Sequence, residues 1–204
     1  MRNKFKVKNL SIIILIMILG VITSEAQNLT ASQMNIYFGK PQKITLTSSQ
    51  GTAITEFDTS GRILHINQGN MSVSYDWAPD GSKVILSMYQ GQNIQYSSTI
   101  NISEMTSEKY IYNINGAINM TVNFNSNGAM SKVIASSPQM TATITYFYNN
   151  LQDMYPHLIE QTMGDQSIKL SVTINKTDSF GNAIEYTQEC MGLKEVSHVT
   201  IEYY

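Results

Sequence analysis

Several stretches of this sequence alternate apolar and polar residues with a period of two, which is the signature of a half-buried strand. Ile118, Met120, Val122 and Phe124 alternate with Asn119, Thr121, Asn123 and Asn125. Met140, Ala142, Ile144, Tyr146 and Tyr148 alternate with Thr141, Thr143, Thr145 and Phe147. Ile168, Leu170, Val172 and Ile174 alternate with Lys169, Ser171, Thr173 and Asn175, and Val73, Tyr75 and Trp77 follow the same pattern less cleanly. Successive side chains on a strand point to opposite faces, so each stretch has one face to bury and one to leave in water. Beyond the N-terminal region no long segment keeps a helical apolar period. The best helical candidate lies around Asn149 to Gln161, and Pro156 interrupts it.

Turn signals separate these stretches at short intervals. They include Thr59-Ser60-Gly61, Pro79-Asp80-Gly81, Gln90-Gly91, Asn115-Gly116, Asn127-Gly128, Asn149-Asn150, Gly164-Asp165, Phe180-Gly181 and Met191-Gly192. Gly and Asn accept the positive φ of tight hairpins. The expected fold is all-β, a long antiparallel meander of about 12–14 strands. A run of hairpins that long must curl, close or split. One polar face favours a curled single sheet or barrel-like wrap.

Residues 1–26 read as a signal peptide. Arg2, Lys4, Lys6 and Lys8 precede an apolar run from Leu10 to Ile22, and Ser24-Glu25-Ala26 supplies small residues for cleavage before Gln27. The run is shorter than the roughly 20 residues needed to span a bilayer. The expected mature chain, residues 27–204, is one β-sheet domain, secreted or periplasmic, with no membrane span after cleavage. The chain has 13 basic and 15 acidic side chains, of which four and one precede Gln27, so nine face fourteen in the mature part. Such a balance leaves no basic patch for phosphates, and nucleic acid is excluded as a partner. Cys190 is the single cysteine, so no intramolecular disulfide forms. It reads as a small, partly buried strand residue.

Four turns share one frame. Phe57-Asp58-Thr59-Ser60-Gly61-Arg62-Ile63 can be laid over Trp77-Ala78-Pro79-Asp80-Gly81-Ser82-Lys83, over Phe124-Asn125-Ser126-Asn127-Gly128-Ala129-Met130, and over Thr177-Asp178-Ser179-Phe180-Gly181-Asn182-Ala183. A residue that closes one strand stands four before a Gly, and a second strand follows. On these residues the chain resembles the YD-repeat (Rhs-repeat) proteins and short exported β-repeat proteins of Bacteroidetes. Their pattern is an aromatic, Asp, two variable residues, Gly, Arg or Asn, then an aliphatic. The first copy fits it fully, the fourth fits its Asp-x-x-Gly-Asn part, and the other two are degenerate. The resemblance implies a hairpin sheet that curls or encloses, and it supplies no active site. Trp77-Ala78-Pro79-Asp80-Gly81-Ser82-Lys83 also looks like the turn of TolB-like and WD40-like propeller blades, but it occurs once, and blades of about 40 residues would number only about four.

Catalytic signals are sparse. His65, His157 and His198 have no metal-ligand spacing, and no metal or cofactor is expected. Asp58, Asp76, Asp80 and Asp178 read as turn formers whose side chains bond nearby backbone. The leading expectation is a non-enzymatic exported protein of the cell envelope, acting by binding or assembly, with an envelope protein or a glycan as partner. A first alternative is a glycan- or lipid-binding module. Its candidate residues are Trp77, Tyr96, Tyr110, Tyr112, Tyr146 and Tyr148, because aromatic platforms beside Asn and Gln amides suit sugars and apolar ligands. The competing view is that these rings line the buried face of the sheet. A second alternative is a hydrolase whose carboxylates are dispersed in sequence.

The C-terminal Val199-Thr200-Ile201-Glu202-Tyr203-Tyr204 ends inside a strand pattern. Deleting residues 196–204 is expected to lower the melting temperature clearly, followed by circular dichroism. An unchanged melt would mean that the tail is free.

Overall fold

The computed structural model describes residues 39–49 and 51–204. The signal peptide reading and residues 27–38 lie outside the described residues. The described chain forms fourteen strands: β1 (Pro41–Ser48), β2 (Gly51–Phe57), β3 (Ile63–Gln68), β4 (Met71–Trp77), β5 (Lys83–Gln90), β6 (Asn93–Met105), β7 (Lys109–Ile114), β8 (Ile118–Phe124), β9 (Met130–Ser137), β10 (Met140–Phe147), β11 (Leu158–Met163), β12 (Gln166–Thr177), β13 (Ala183–Cys190) and β14 (Leu193–Tyr203). Each strand pairs antiparallel with its sequence neighbours, and β1 pairs with β14, so the sheet closes into a barrel. Ile44 and Ile201 face each other across that seam. The expected meander is therefore present at the upper end of its strand count, and the choice between open curl and closed wrap is settled as closure.

Residues directly opposite in an antiparallel pair share a face of the sheet. The register sets Trp77 opposite Val84, Val84 opposite Ile100, and Ile100 opposite Ile114. Tyr112 stands opposite Met120 and Val122 opposite Val133. This apolar row faces inward, and Val84, Tyr112, Val122 and Met120 are 0–1% exposed. The other face carries Thr45 opposite Thr200, Asn113 opposite Asn119, and Thr173 opposite Thr187. Ion pairs lie on it too, with Lys43 Nζ 2.7 Å from Glu202 Oε1 and Lys176 Nζ 3.1 Å from Glu185 Oε2. Exposed pairs of this kind contribute little to stability. Their importance is as markers of which face meets water.

The two rims are built differently. One rim is made of tight hairpins. In two of them consecutive residues hold positive φ, Asn115 (51°) with Gly116 (73°) and Met191 (52°) with Gly192 (79°). Such pairs match the twist of the flanking strands. All four copies of the shared turn lie on the opposite rim, after β2, β4, β8 and β12. In each, the glycine N–H donates to the carbonyl three residues back: Gly61 to Asp58, Gly81 to Ala78, Gly128 to Asn125 and Gly181 to Asp178. Three copies close in the same way. Phe57 pairs with Ile63, Phe124 with Met130 and Thr177 with Ala183, and each is preceded by a register shift in its strand. A bulge there sharpens the local twist, which helps a sheet to close. The copy beginning at Trp77 is one residue longer. It closes on Val84, with the Ala78 N–H donating to the Lys83 carbonyl.

Two expectations are corrected. Residues 149–161 hold no helix. A ten-residue loop, 148–157, joins β10 to β11, and β11 takes up Leu158–Met163 because both its edges find hydrogen-bonding partners. Pro156 removes a donor that a helix would need. Asp76 is not in a turn. It is an exposed residue on the outer face of β4, opposite Ile85.

Met120 and Thr121 sit side by side on β8 but face opposite ways. Met120→Ala is expected to cost about 2–5 kcal/mol, whereas Thr121→Ala stays within about 0.5 kcal/mol, read by urea denaturation.

Candidate functional site

The barrel interior is filled unevenly. Between β2 and β10 many inward side chains are buried, including Phe57, Ile63, Tyr75, Leu86, Ile100 and Ile144. On β12 the inward Leu170, Val172 and Ile174 are only half-buried, and Ile168 is 44% exposed. Inward Tyr186, Gln188 and Cys190 on β13 are half-buried as well. These side chains have the right residue types for a core but too few neighbours to cover them. In front of Val172, Ile174, Tyr186 and Gln188 lies a cavity of about 230 Å³. Its walls come from the inner faces of β9 to β13, and residues 154–156 of the long loop lie across it.

The loop is tied down at several points. The Tyr148 hydroxyl donates to the Met130 carbonyl at 2.7 Å. The Tyr155 hydroxyl donates to the Gly181 carbonyl at 3.3 Å and accepts from the Ala183 N–H at 2.9 Å. The Asn127 amide donates to the Asp153 carbonyl at 3.2 Å. The loop thus bridges the third and fourth shared turns. The fourth is itself organised by Asp178, which accepts from the Phe180 and Asn182 N–H groups at 2.8 and 2.9 Å. Asp178 also accepts from the Tyr203 hydroxyl, and the Asn182 amide donates to that hydroxyl at 2.7 Å. Burial alone would push the Asp178 carboxyl up. The hydrogen bonds from Tyr203, Asn182 and Phe180 outweigh it and hold the carboxyl below the usual range. Tyr203 is the last residue of β14, so this network also anchors the barrel seam.

Burial pushes the Tyr146 hydroxyl up to about 12. Tyr148 is raised by burial and then by the neighbouring Tyr146, and Tyr186 is raised by burial against an opposing hydrogen bond with Ser197. The lining contains no Lys, Arg, His, Asp or Glu. Among the described residues no group of three His, Cys, Asp or Glu is placed to hold a metal ion.

The six aromatic candidates do not form one site. Tyr110 and Tyr112 are 6% and 0% exposed, and Tyr110 stacks edge-on against Phe124 with centroids 4.6 Å apart. Trp77 is half-buried on the inner face. Its Nε1–H donates to the Ile63 carbonyl at 2.9 Å, and the Arg62 guanidinium lies 5.9 Å from the ring centre. Tyr96 is 42% exposed, opposite Met88 and towards the tight-hairpin rim. Only Tyr146 and Tyr148 of the six line the cavity. The carboxylates do not converge either. Asp58, Asp80 and Asp178 each cap their own turn, through Ser60 and Arg62, Ser82, and Phe180 and Asn182 respectively. Sequence reasoning did not assign Met154, Ile159 and Gln188 to a site. Neither segment alternates cleanly in the sequence, so the inward positions of Ile159 and Gln188 follow from their register with β10 and β12, whereas the position of Met154 depends on how the loop folds back.

No protein-family model matches the sequence, and no curated protein is found similar to it. Among solved structures, a porin-like protein from Bacteroides vulgatus ATCC 8482 is similar at a TM-score of 0.45 and 12% identity, over 80% of this chain and 98% of that one. A porin-like protein from Bacteroides uniformis ATCC 8492 is similar at a TM-score of 0.32 and 10% identity, over 79% of this chain and 96% of that one. At these values neither carries an argument about function, and the barrel assignment rests on the strand pairing of this chain.

Asp178 is ionised more readily in the folded protein than in the unfolded chain. Its stabilisation is therefore present above the unfolded carboxyl pKa of about 3.9 and is lost as pH falls through the lower folded value. Asp178→Asn is expected to cost about 2 kcal/mol at pH 7. Its gap to the wild type should narrow below about pH 4, followed by denaturant melts across pH.

Proposed function

We propose that this chain is an exported, non-enzymatic barrel that binds a small, mainly apolar molecule in the cavity under the 148–157 loop. The observation that carries this reading is the half-filled interior. Apolar side chains of β12 that would otherwise complete a core face open space instead. A barrel of this strand number leaves room inside unless side chains fill it. The cavity is larger than the roughly 150 Å³ that accommodates a benzene ring, and smaller than the roughly 300–1,000 Å³ of drug-sized pockets. A short acyl segment or a single ring fits that range.

The distribution of polarity supports a ligand-holding barrel over a channel. Membrane barrels present an apolar band outward and keep a polar lumen. Here the outer face is mixed, with Thr, Asn, Lys and Glu among Ile85, Ile111, Ile134 and Phe147, while Phe57, Tyr75, Tyr112 and Val122 fill much of the interior. On this reading the protein is not membrane-spanning after signal cleavage and works in the periplasm or outside the cell. Its YD-repeat-like turns serve as structural parts of one rim. The separation of the aspartates, each committed to its own turn, supports the non-enzymatic part of the proposal.

Filling the cavity tests the proposal. Ile174 lines it and Thr173 faces outward from the same strand. Ile174→Trp is expected to weaken binding of a short aliphatic probe by about tenfold or more, which is about 1.4 kcal/mol, while Thr173→Trp leaves it unchanged. Titration calorimetry reads the difference, and equal binding by both variants would overturn the reading.

A further inference from the structure

Two polar groups in the cavity are left to solvent and have no protein partner. The other cavity-lining hydroxyls are committed: Tyr148 to the Met130 carbonyl, Tyr155 to Gly181 and Ala183, and Tyr186 to Ser197. The Tyr146 hydroxyl and the Gln188 side-chain amide make no hydrogen bond among the described residues, and both line the cavity. Tyr146 sits on β10 opposite Ile159, and Gln188 on β13 opposite Val172, so they reach the cavity from different walls. Neither is among the fully buried atoms that lack a partner, so solvent reaches both, and a ligand's own hydrogen-bonding group can take the place of that solvent.

Charge narrows the ligand further. No cationic side chain lines the cavity to receive an anion. On the inner face Glu195 stands opposite Gln188. Its carboxylate already accepts from the Ser49 hydroxyl at 2.7 Å, and it disfavours a second negative charge nearby. Moving an ionised group into such a place without a counter-charge is unfavourable.

We infer that the ligand is a neutral molecule with an apolar body and a hydroxyl or similar uncharged polar group, which the Tyr146 hydroxyl and the Gln188 amide select. The inference rests on the proposed binding role of the cavity and adds the chemical class of what it takes. Tyr146 contributes a donor and an acceptor, and the Gln188 amide offers both as well. A ligand hydroxyl, which both donates and accepts, can therefore bond to either group. The remainder of the ligand lies against Val172, Ile174 and Met154.

The test compares four probes with one chain length, hexane, hexan-1-ol, hexanoate and hexylammonium, at pH 8 by competition against a fluorescent apolar reporter. Hexan-1-ol is expected to bind about tenfold or more tightly than either ion. Tyr146→Phe and Gln188→Leu should each weaken hexan-1-ol about fivefold, the worth of one hydrogen bond, and leave hexane within about twofold. Gln188→Lys supplies the missing cation and should improve hexanoate binding about tenfold over the wild type. Circular dichroism melts confirm that each variant folds. If hexane binds but either ion matches hexan-1-ol, the selection by Tyr146 and Gln188 is overturned and the cavity reading stands. If neither hexane nor hexan-1-ol binds, both fall.

Discussion

An alternating strand has one face that water does not tolerate, and everything in this protein follows from how that face is hidden. A flat meander would need a second layer to cover it, and the described chain has no helix to provide one. Closing the sheet on itself gives the apolar face a common interior and removes both edge strands at once. The hydrogen bonds between β1 and β14 are thus required by the burial of Ile44, Leu46, Val199 and Ile201 as much as by the pairing of backbone groups.

Closure creates a second problem, which is volume. Fourteen strands enclose more space than short aliphatic side chains can fill. Where aromatic and long residues face inward, as at Phe57, Tyr75, Tyr110 and Tyr112, the interior is packed. The wall of β11 to β13 offers Ile159, Val172, Ile174, Tyr186 and Gln188, all only half-buried, and a cavity remains there. The long loop covers it from one rim. The site and the core are therefore made by the same pattern, and they differ in how completely the inward side chains are covered.

Much of the architecture was legible because its cause is local. Period-two stretches such as Ile118–Phe124 and Ile168–Ile174 state their faces outright, and the Gly-Asn turns state where the chain reverses. The C-terminal pattern at Val199–Tyr203 announced a paired strand, and it pairs with β1. What failed was non-local. Asp76 looked like its turn-forming neighbours, yet its position was fixed by the β4–β5 register. The Tyr-rich centre of the sequence suggested one platform. However, residues close in sequence fall on different strands around a closed wall, so Tyr112 is in the core and Tyr146 in the cavity. Loop 148–157 was the best helical candidate in the sequence, yet its path depends on Asn127, Gly181 and Ala183 far along the chain.

The seam has a kinetic meaning as well. Thirteen of the fourteen strand contacts join consecutive strands, so each forms from a hairpin a few residues long. The remaining contact brings Ile44 to Ile201, across nearly the whole described chain. Contacts that close large loops form late, after the local ones have lowered their entropic cost. Hairpins zip first into an open, sticky ribbon, and the barrel exists only once its two ends meet. Until then the apolar face is exposed to other copies of the same chain. Tyr203, tied to Asp178 beside the seam, acts as a latch on that last step.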